Sequence, residues 1–151
     1  MAVRGNKAVG EALVASYKDD GTCPVPTTDV ALNLKNRNYA IEEHGYGPLN
    51  PAEPNPEFWR GIADLWGISS EDAKTSRCSN CAAFIQTPKM LECIKGGLGY
   101  EDDYPEQGAE HLDSNRTATR KSANLGYCQL FGFKCAGDRV CRAWLHGGPI
   151  K

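Results

Sequence analysis

The chain has 151 residues, 40% hydrophobic and 24% charged, with a formal net charge of −2 from 17 Lys and Arg against 19 Asp and Glu. That length allows one domain with an extension but not two full-sized cores, and the near-balanced charge gives no positive field to hold a phosphate backbone. A multidomain enzyme and a nucleic-acid partner are therefore not expected.

No stretch approaches the roughly 18 consecutive apolar residues that span a bilayer. The N-terminal MAVRGNKAVGEALVASYKDDG has Glu11 and polar residues where a secretory peptide carries its apolar run, so a soluble, cytosolic protein without a membrane partner is expected. Residues 1–28, with Lys18 to Gly21 followed by Pro24 and Pro26, read as an extended N-terminal arm. Val30, Leu34 and Ile41 recur at near-helical spacing between Asp29 and His44, and Gly45 is a plausible left-handed stop, so a helix is predicted there. Tyr46–Pro56 contains four prolines and should cross a surface as a strap. Asn55 and Pro56 then give a cap-then-proline helix start, and Phe58, Trp59, Ile62, Leu65 and Trp66 form an apolar stripe that ends before Gly67. Ser69 with Asp72 resembles a capping box and predicts a short helix over 70–76 that delivers Arg77 to Cys78.

Residues 29–77 are thus short helices and a strap, and 78–151 form a cysteine-rich half. Within that half a glycine-rich polar insertion at about 96–124 carries Glu101, Asp102, Asp103, Glu106, Glu110 and Asp113, read as a solvated loop. Leu125–Lys134 has the content of a small hairpin turning near Gly132. The fold class is a small, irregular, loop-rich α+β protein.

Seven cysteines are present, and all but Cys23 lie in the last half of the chain. Cys78 and Cys81 form CSNC, a spacing that turns two thiolates toward one centre. The segment CQLFGFKCAGDRVCRAW places Cys128, Cys135 and Cys141 among Phe131, Phe133 and Trp144. Three chemistries compete. Zinc ribbons carry two CxxC knuckles and the second is missing here; disulfides persist poorly in a reducing cytosol and an odd count leaves a thiol over; a [4Fe–4S] cluster needs four thiolates and a shell that limits water. The cluster ranks first, disulfides second, zinc third.

CSNCAAF, GYCQLF and CRAW together resemble the ligand pattern of high-potential iron–sulfur proteins. The resemblance implies a [4Fe–4S] cofactor held by Cys78, Cys81, Cys128 and Cys141, in an aromatic shell of Trp144, Phe84, Tyr127 and Phe131. This chain departs from the pattern in its 46 residues between Cys81 and Cys128 and in its extra Cys93 and Cys135, which are expected as buried small residues, a disulfide pair or alternative ligands. A cluster with four thiolates is anionic, so backbone N–H groups near Cys81, Cys128 and Cys141 should point at sulfur, with Arg77, Arg139 and Arg142 helping to balance charge.

A second likeness covers most of residues 33–150. The runs NLKNRNYAIEEHGYGPLNPAEPNPEFW, EDAKTSRCSNCAAF and NLGYCQLFGFKCAGDRVCRAWLHGGPI resemble small virion-associated structural proteins of contractile-tailed bacteriophages. It implies a virion structural role, made in the host cytoplasm, among other virion proteins and in many copies within a symmetric assembly. No catalytic constellation is visible around His44, His111 or His146, and no phosphate-binding loop occurs, so an enzyme is not expected. The alternatives are a soluble electron-transfer protein of the high-potential type, or a virion protein stapled by disulfides or zinc.

Overall fold

The computed structural model describes residues 7–47, 55–97 and 124–151; the acidic insertion, His111 and most of the proline strap lie outside them. Five α-helices and a three-stranded antiparallel sheet, joined by loops, make up the described residues. The fold class is therefore the loop-rich α+β that the sequence implied.

The helix that follows Asn55 begins with Pro56 at its first turn, runs Pro56–Trp66 (α3) and stops at Gly67 in the left-handed conformation. Its stripe buries Trp59, Ile62, Ala63 and Trp66, while Leu65 stays exposed. These residues join Phe84, Phe133, Val140 and Trp144 in the main core, each large side chain stabilising the fold by about 1.5–3 kcal/mol. Ser70–Ala73 (α4) follows, shorter than the 70–76 expected, with Ser69 Oγ accepting from the Asp72 N–H at 3.1 Å.

Val30–His44 (α2) starts at Asp29, whose carboxylate accepts from the Leu32 N–H, and ends at Gly45 as expected. Its buried face is a different one. Val30, Leu34 and Ile41 are 59%, 48% and 37% exposed, whereas Asn33 and Ala40 are buried. Polar groups attach this helix to the sheet: Asn33 Oδ1 accepts from the Lys134 N–H at 2.7 Å and Asn36 Nδ2 donates to the Gly132 carbonyl at 2.7 Å.

The expected extended arm over residues 1–28 is instead structured from residue 7. Lys7–Ser16 (α1) carries Gly10, Leu13 and Val14, with Tyr17 just beyond it, at the i, i+3, i+4, i+7 spacing of one helix face. Gly10 lies so close to the His146 carbonyl that a Cβ there would overlap it, Leu13 packs on the main core, and Val14 and Tyr17 pack on a second cluster. A 3-10 turn, Val25–Thr27, then buries Thr27 completely.

The second cluster contains Ile85, Met90, Cys93, Ile94, Tyr127 and Ile150. Three of these lie on Pro88–Gly96 (α5), capped by Thr87 Oγ1 accepting from the Met90 N–H. Cys93 on this helix forms a disulfide with Cys23, so the Cys93–Cys135 pair considered from the sequence does not form.

The hairpin forms where expected, from Leu125–Cys128 (β2) and Phe133–Ala136 (β3), and Phe84–Ile85 (β1) adds to it in the order β1-β2-β3. Phe84 pairs with Cys128 and Cys128 with Phe133, so side chains alternate between a face toward the main core and a face toward the second cluster. Gly126 is opposite Cys135, and the Phe84 ring occupies the space its Cβ would take. Gly126→Ala is expected to cost about 1–3 kcal/mol by forcing that ring aside. A urea midpoint equal to that of the parent would show that the ring does not need the space.

Candidate metal centre

The 3-10 turn Cys78–Asn80 follows α4 and is fixed at both ends: the Cys78 N–H donates to the Arg139 carbonyl at 2.6 Å and the Cys81 N–H to the Cys78 carbonyl at 2.9 Å. Asn80, between the two cysteines of CSNC, is the knot of this turn. Its Oδ1 accepts from the Arg77 N–H and from Trp144 Nε1, both at 2.9 Å, and its Nδ2 donates to the Thr75 carbonyl at 2.8 Å. Cys128 ends β2, Cys135 lies in β3, and Cys141 follows the bridge that joins Val140 to Gly47.

These segments bring five free thiols, Cys78, Cys81, Cys128, Cys135 and Cys141, around one small cavity. Ala83, Phe84, Leu130, Phe131 and Ala143 complete its wall, which contains no charged side chain. The four ligands expected from the sequence are all present, with Cys135 as a fifth. Cys93 is elsewhere, in its disulfide.

The Cys81 sulfur is already hydrogen-bonded as a thiolate would require. Cys81 Sγ accepts from the Ala83 N–H at 3.5 Å and the Leu145 N–H at 3.4 Å. At Cys128 the backbone N–H groups of Phe131 and Leu130, and at Cys141 that of Ala143, favour the thiolate and act against burial. Of the three residues near which amides were expected to point at sulfur, Cys81 has such hydrogen bonds.

The aromatic shell is only half as expected. Phe84 and Phe131 line the cavity. Tyr127 faces the second cluster, because neighbours along a strand point to opposite sides. Trp144 is buried beside the site rather than in its wall, and its indole donates to the Arg77 carbonyl and to Asn80, bracing the CSNC turn. The arginines do not line the cavity either: Arg77 stacks over Trp59 at 4.8 Å, Arg139 over Tyr46 at 5.6 Å, and Arg142 donates to the Glu43 carbonyl. His44 stacks on Phe131 at 4.3 Å and His146 packs edge-on against Trp144.

Desolvation dominates the acidity of the thiols. Burial pushes Cys81 up to about 11 and Cys128 up to about 12, and it pushes Cys141 and Cys135 up as well, Cys135 further through its hydrogen bond to Cys78. With no cation present these groups are protonated at neutral pH, so binding a cationic centre must release protons and strengthens as pH rises. Because the folded values lie above the unfolded ones near 9, the stability they confer is complete below about pH 9 and lost as pH rises toward 12; two units at Cys81 correspond to about 3 kcal/mol. The metal-free, reduced protein should therefore have a lower urea midpoint at about pH 10.5 than at pH 8. An unchanged midpoint would contradict the burial of these thiols.

Among the described residues no group of three or more His, Cys, Asp or Glu side chains is arranged to hold a metal ion. One zinc ion, with Zn–S bonds near 2.3 Å, draws its four sulfurs to about 4 Å from each other. No protein family, curated protein or solved structure matches the chain, so the site is read from its own chemistry.

Proposed function

We propose that the chain is a structural component of a tailed-phage virion whose C-terminal half is stapled by a [4Fe–4S] cluster on Cys78, Cys81, Cys128 and Cys141. The observation that carries this reading is the apolar cavity walled by five free thiols, among which the Cys81 sulfur accepts two backbone N–H groups. A cluster bound there supplies metal–thiolate bonds between segments that share little regular structure. This chain's part is to present the sulfurs, to offset their charge with amides, and to keep water out with Phe84 and Phe131.

Two further features support the virion half of the reading. The exposed strip of Val30, Leu34 and Ile41 on α2 is an apolar surface of the kind that packs on neighbouring subunits. A Cys23–Cys93 bridge beside five free thiols also suits a chain that acquires its metal in a reducing host cytoplasm and is later released into oxidising surroundings. In this reading the protein is not an enzyme; its partners are other virion proteins, in many copies of a symmetric particle.

An electron carrier of the high-potential type is the second reading, favoured by the partial exposure of the Cys128 and Cys141 residues. Protein isolated without oxygen should contain iron and acid-labile sulfide in equal amounts and absorb in the thiolate-to-iron bands. One zinc per chain and no iron would overturn the cluster. Imaging of the particle should find density for this chain; a particle without it, together with reversible one-electron chemistry of the free monomer, would transfer the assignment to the carrier.

A further inference from the structure

The two ends of the Cys23–Cys93 bridge lie in different surroundings. Cys23 is exposed, in the loop between α1 and the Val25–Thr27 turn, whereas Cys93 is 4% exposed on α5, within the second cluster. Neither lines the thiol cavity. The segment that the bridge pins, residues 7–28, has few other holds on the body. Among the described residues every buried member of the two apolar clusters lies at Ala40 or beyond, and the segment adds Leu13, Val14 and Tyr17, each partly buried. In α1 only Gly10 is buried, and its ten residues are fewer than the roughly 12–15 that an isolated helix needs to persist in water. Tyr17 Oη and Thr87 Oγ1 both donate to Asp19 Oδ1, at 2.7 and 3.0 Å, and Lys134 Nζ donates to the Thr27 carbonyl at 3.3 Å. These exposed or half-buried hydrogen bonds replace bonds to water and stabilise little. The closest fit is at Thr27, which is fully buried with its carbonyl against Gly97 at the end of α5, the helix that carries Cys93. Between α1 and Cys23 the chain is exposed over residues 18–22, and Gly21 takes a φ of 85° with open space around it, as a hinge requires.

We propose that the bridge is a redox latch: a dithiol enters it at Cys23, and its state decides whether residues 7–28 are locked onto the body or released. A thiolate of the dithiol attacks the Cys23 sulfur, the Cys23–Cys93 bond breaks, and Cys93 leaves as a thiolate that takes up a proton. The second thiol of the dithiol then displaces Cys23 and closes a disulfide within the reductant. Two electrons and two protons pass to the protein. Access favours attack at Cys23, and Cys93 is released into an apolar cluster where a protonated thiol behaves as a small hydrophobe. With the latch open, three partly buried side chains, one buried turn and a few weak hydrogen bonds oppose the conformational entropy of the whole segment, and the segment leaves. The body keeps both clusters and stays folded, but the side of the second cluster under Val14 and Tyr17 is uncovered.

Amide hydrogen exchange of the full chain, read by mass spectrometry in the oxidised form and after dithiothreitol under argon, tests the latch. Amides of residues 7–28 should exchange at least about tenfold faster on reduction, while those of α3, β2 and β3 stay within about twofold. Cys23→Ser should show the reduced pattern without any reductant. In a second measurement the parent is treated with excess glutathione and quenched with acid, and peptide mapping should find the adduct on Cys23 and a free thiol at Cys93. Unchanged exchange over 7–28 on reduction, or a rise of equal size along the whole chain, would overturn the latch, as would an adduct on Cys93. So would thiols at positions 23 and 93 that alkylate before any reductant is added. A chain that carries no iron yet releases the segment upholds the latch and overturns the cluster alone.

Discussion

Under the proposed cluster reading, Cys128→Ser is expected to lose the cluster and, with it, the order of the C-terminal half. The residue sits where β1, β2 and β3 meet, paired with Phe84 on one side and Phe133 on the other, and the backbone amides of Phe131 and Leu130 favour its thiolate. A serine oxygen accepts those amides but is a poor substitute for a soft thiolate toward iron. Iron content should drop about tenfold or more. Structural metal sites in small domains contribute on the order of 10 kcal/mol to folding, so the variant should melt far below the parent with its near-ultraviolet signal largely gone. A full iron load in Cys128→Ser would refute the ligand assignment.

Removing the Cys23–Cys93 bridge should have a large effect of a different kind. The bridge closes 70 residues of chain, and chain-entropy arguments give such a loop about 4 kcal/mol, or roughly 10 °C in Tm for a domain of this size. Cys23→Ala with Cys93→Ala should show this loss, a reductant should impose a similar loss on the parent, and the double variant should be indifferent to reductant. Iron should be unaffected, because Cys93 packs in the second cluster with Met90 and Ile94 rather than in the thiol cavity. Equal Tm values for parent and variant would mean that residues 7–28 are held by packing alone.

The parts of this fold that were legible from sequence are those written in local signals. The Asn55–Pro56 start, the Gly45 and Gly67 stops and the Gly132 hairpin turn are each a matter of backbone preference at one or two residues. Burial was less legible. The helix over Val30–His44 was found through Val30, Leu34 and Ile41, yet it docks through Asn33 and Asn36, whose partners are main-chain groups about 100 residues away. Nothing local distinguishes an asparagine that closes a sheet edge from one that faces water.

The N-terminal helix was missed because Lys18 to Gly21 and the two prolines after it outweighed the spacing of Gly10, Leu13, Val14 and Tyr17. The helix over Pro88–Gly96 carries the same cap-then-proline signal as α3, in Thr87 and Pro88, and could have been read from it. At the site, the four expected cysteines do converge, because CxxC and Cys-x-x-Trp are short-range patterns. Cys135 could not be ranked, since its place in the wall depends on strand alternation. Tyr127 was misplaced by the same alternation, one residue from a ligand and on the wrong side of the sheet. The pairing of Cys23 with Cys93 depends on a long-range approach for which the sequence offers no spacing rule.

Both margins of the small sheet are closed by this chain's own groups. Along β3 the outward amides of Lys134 and Ala136 are taken by Asn33 and by the Tyr46 hydroxyl, and along β1 the Ile150 main chain bonds to Phe84 and Gln86. A foreign strand therefore finds no free ladder to extend, and the molecule is protected from polymerising edge to edge even at high local concentration. Any neighbour must recognise it through side chains, which makes contacts specific to one geometry and reversible until many of them act together.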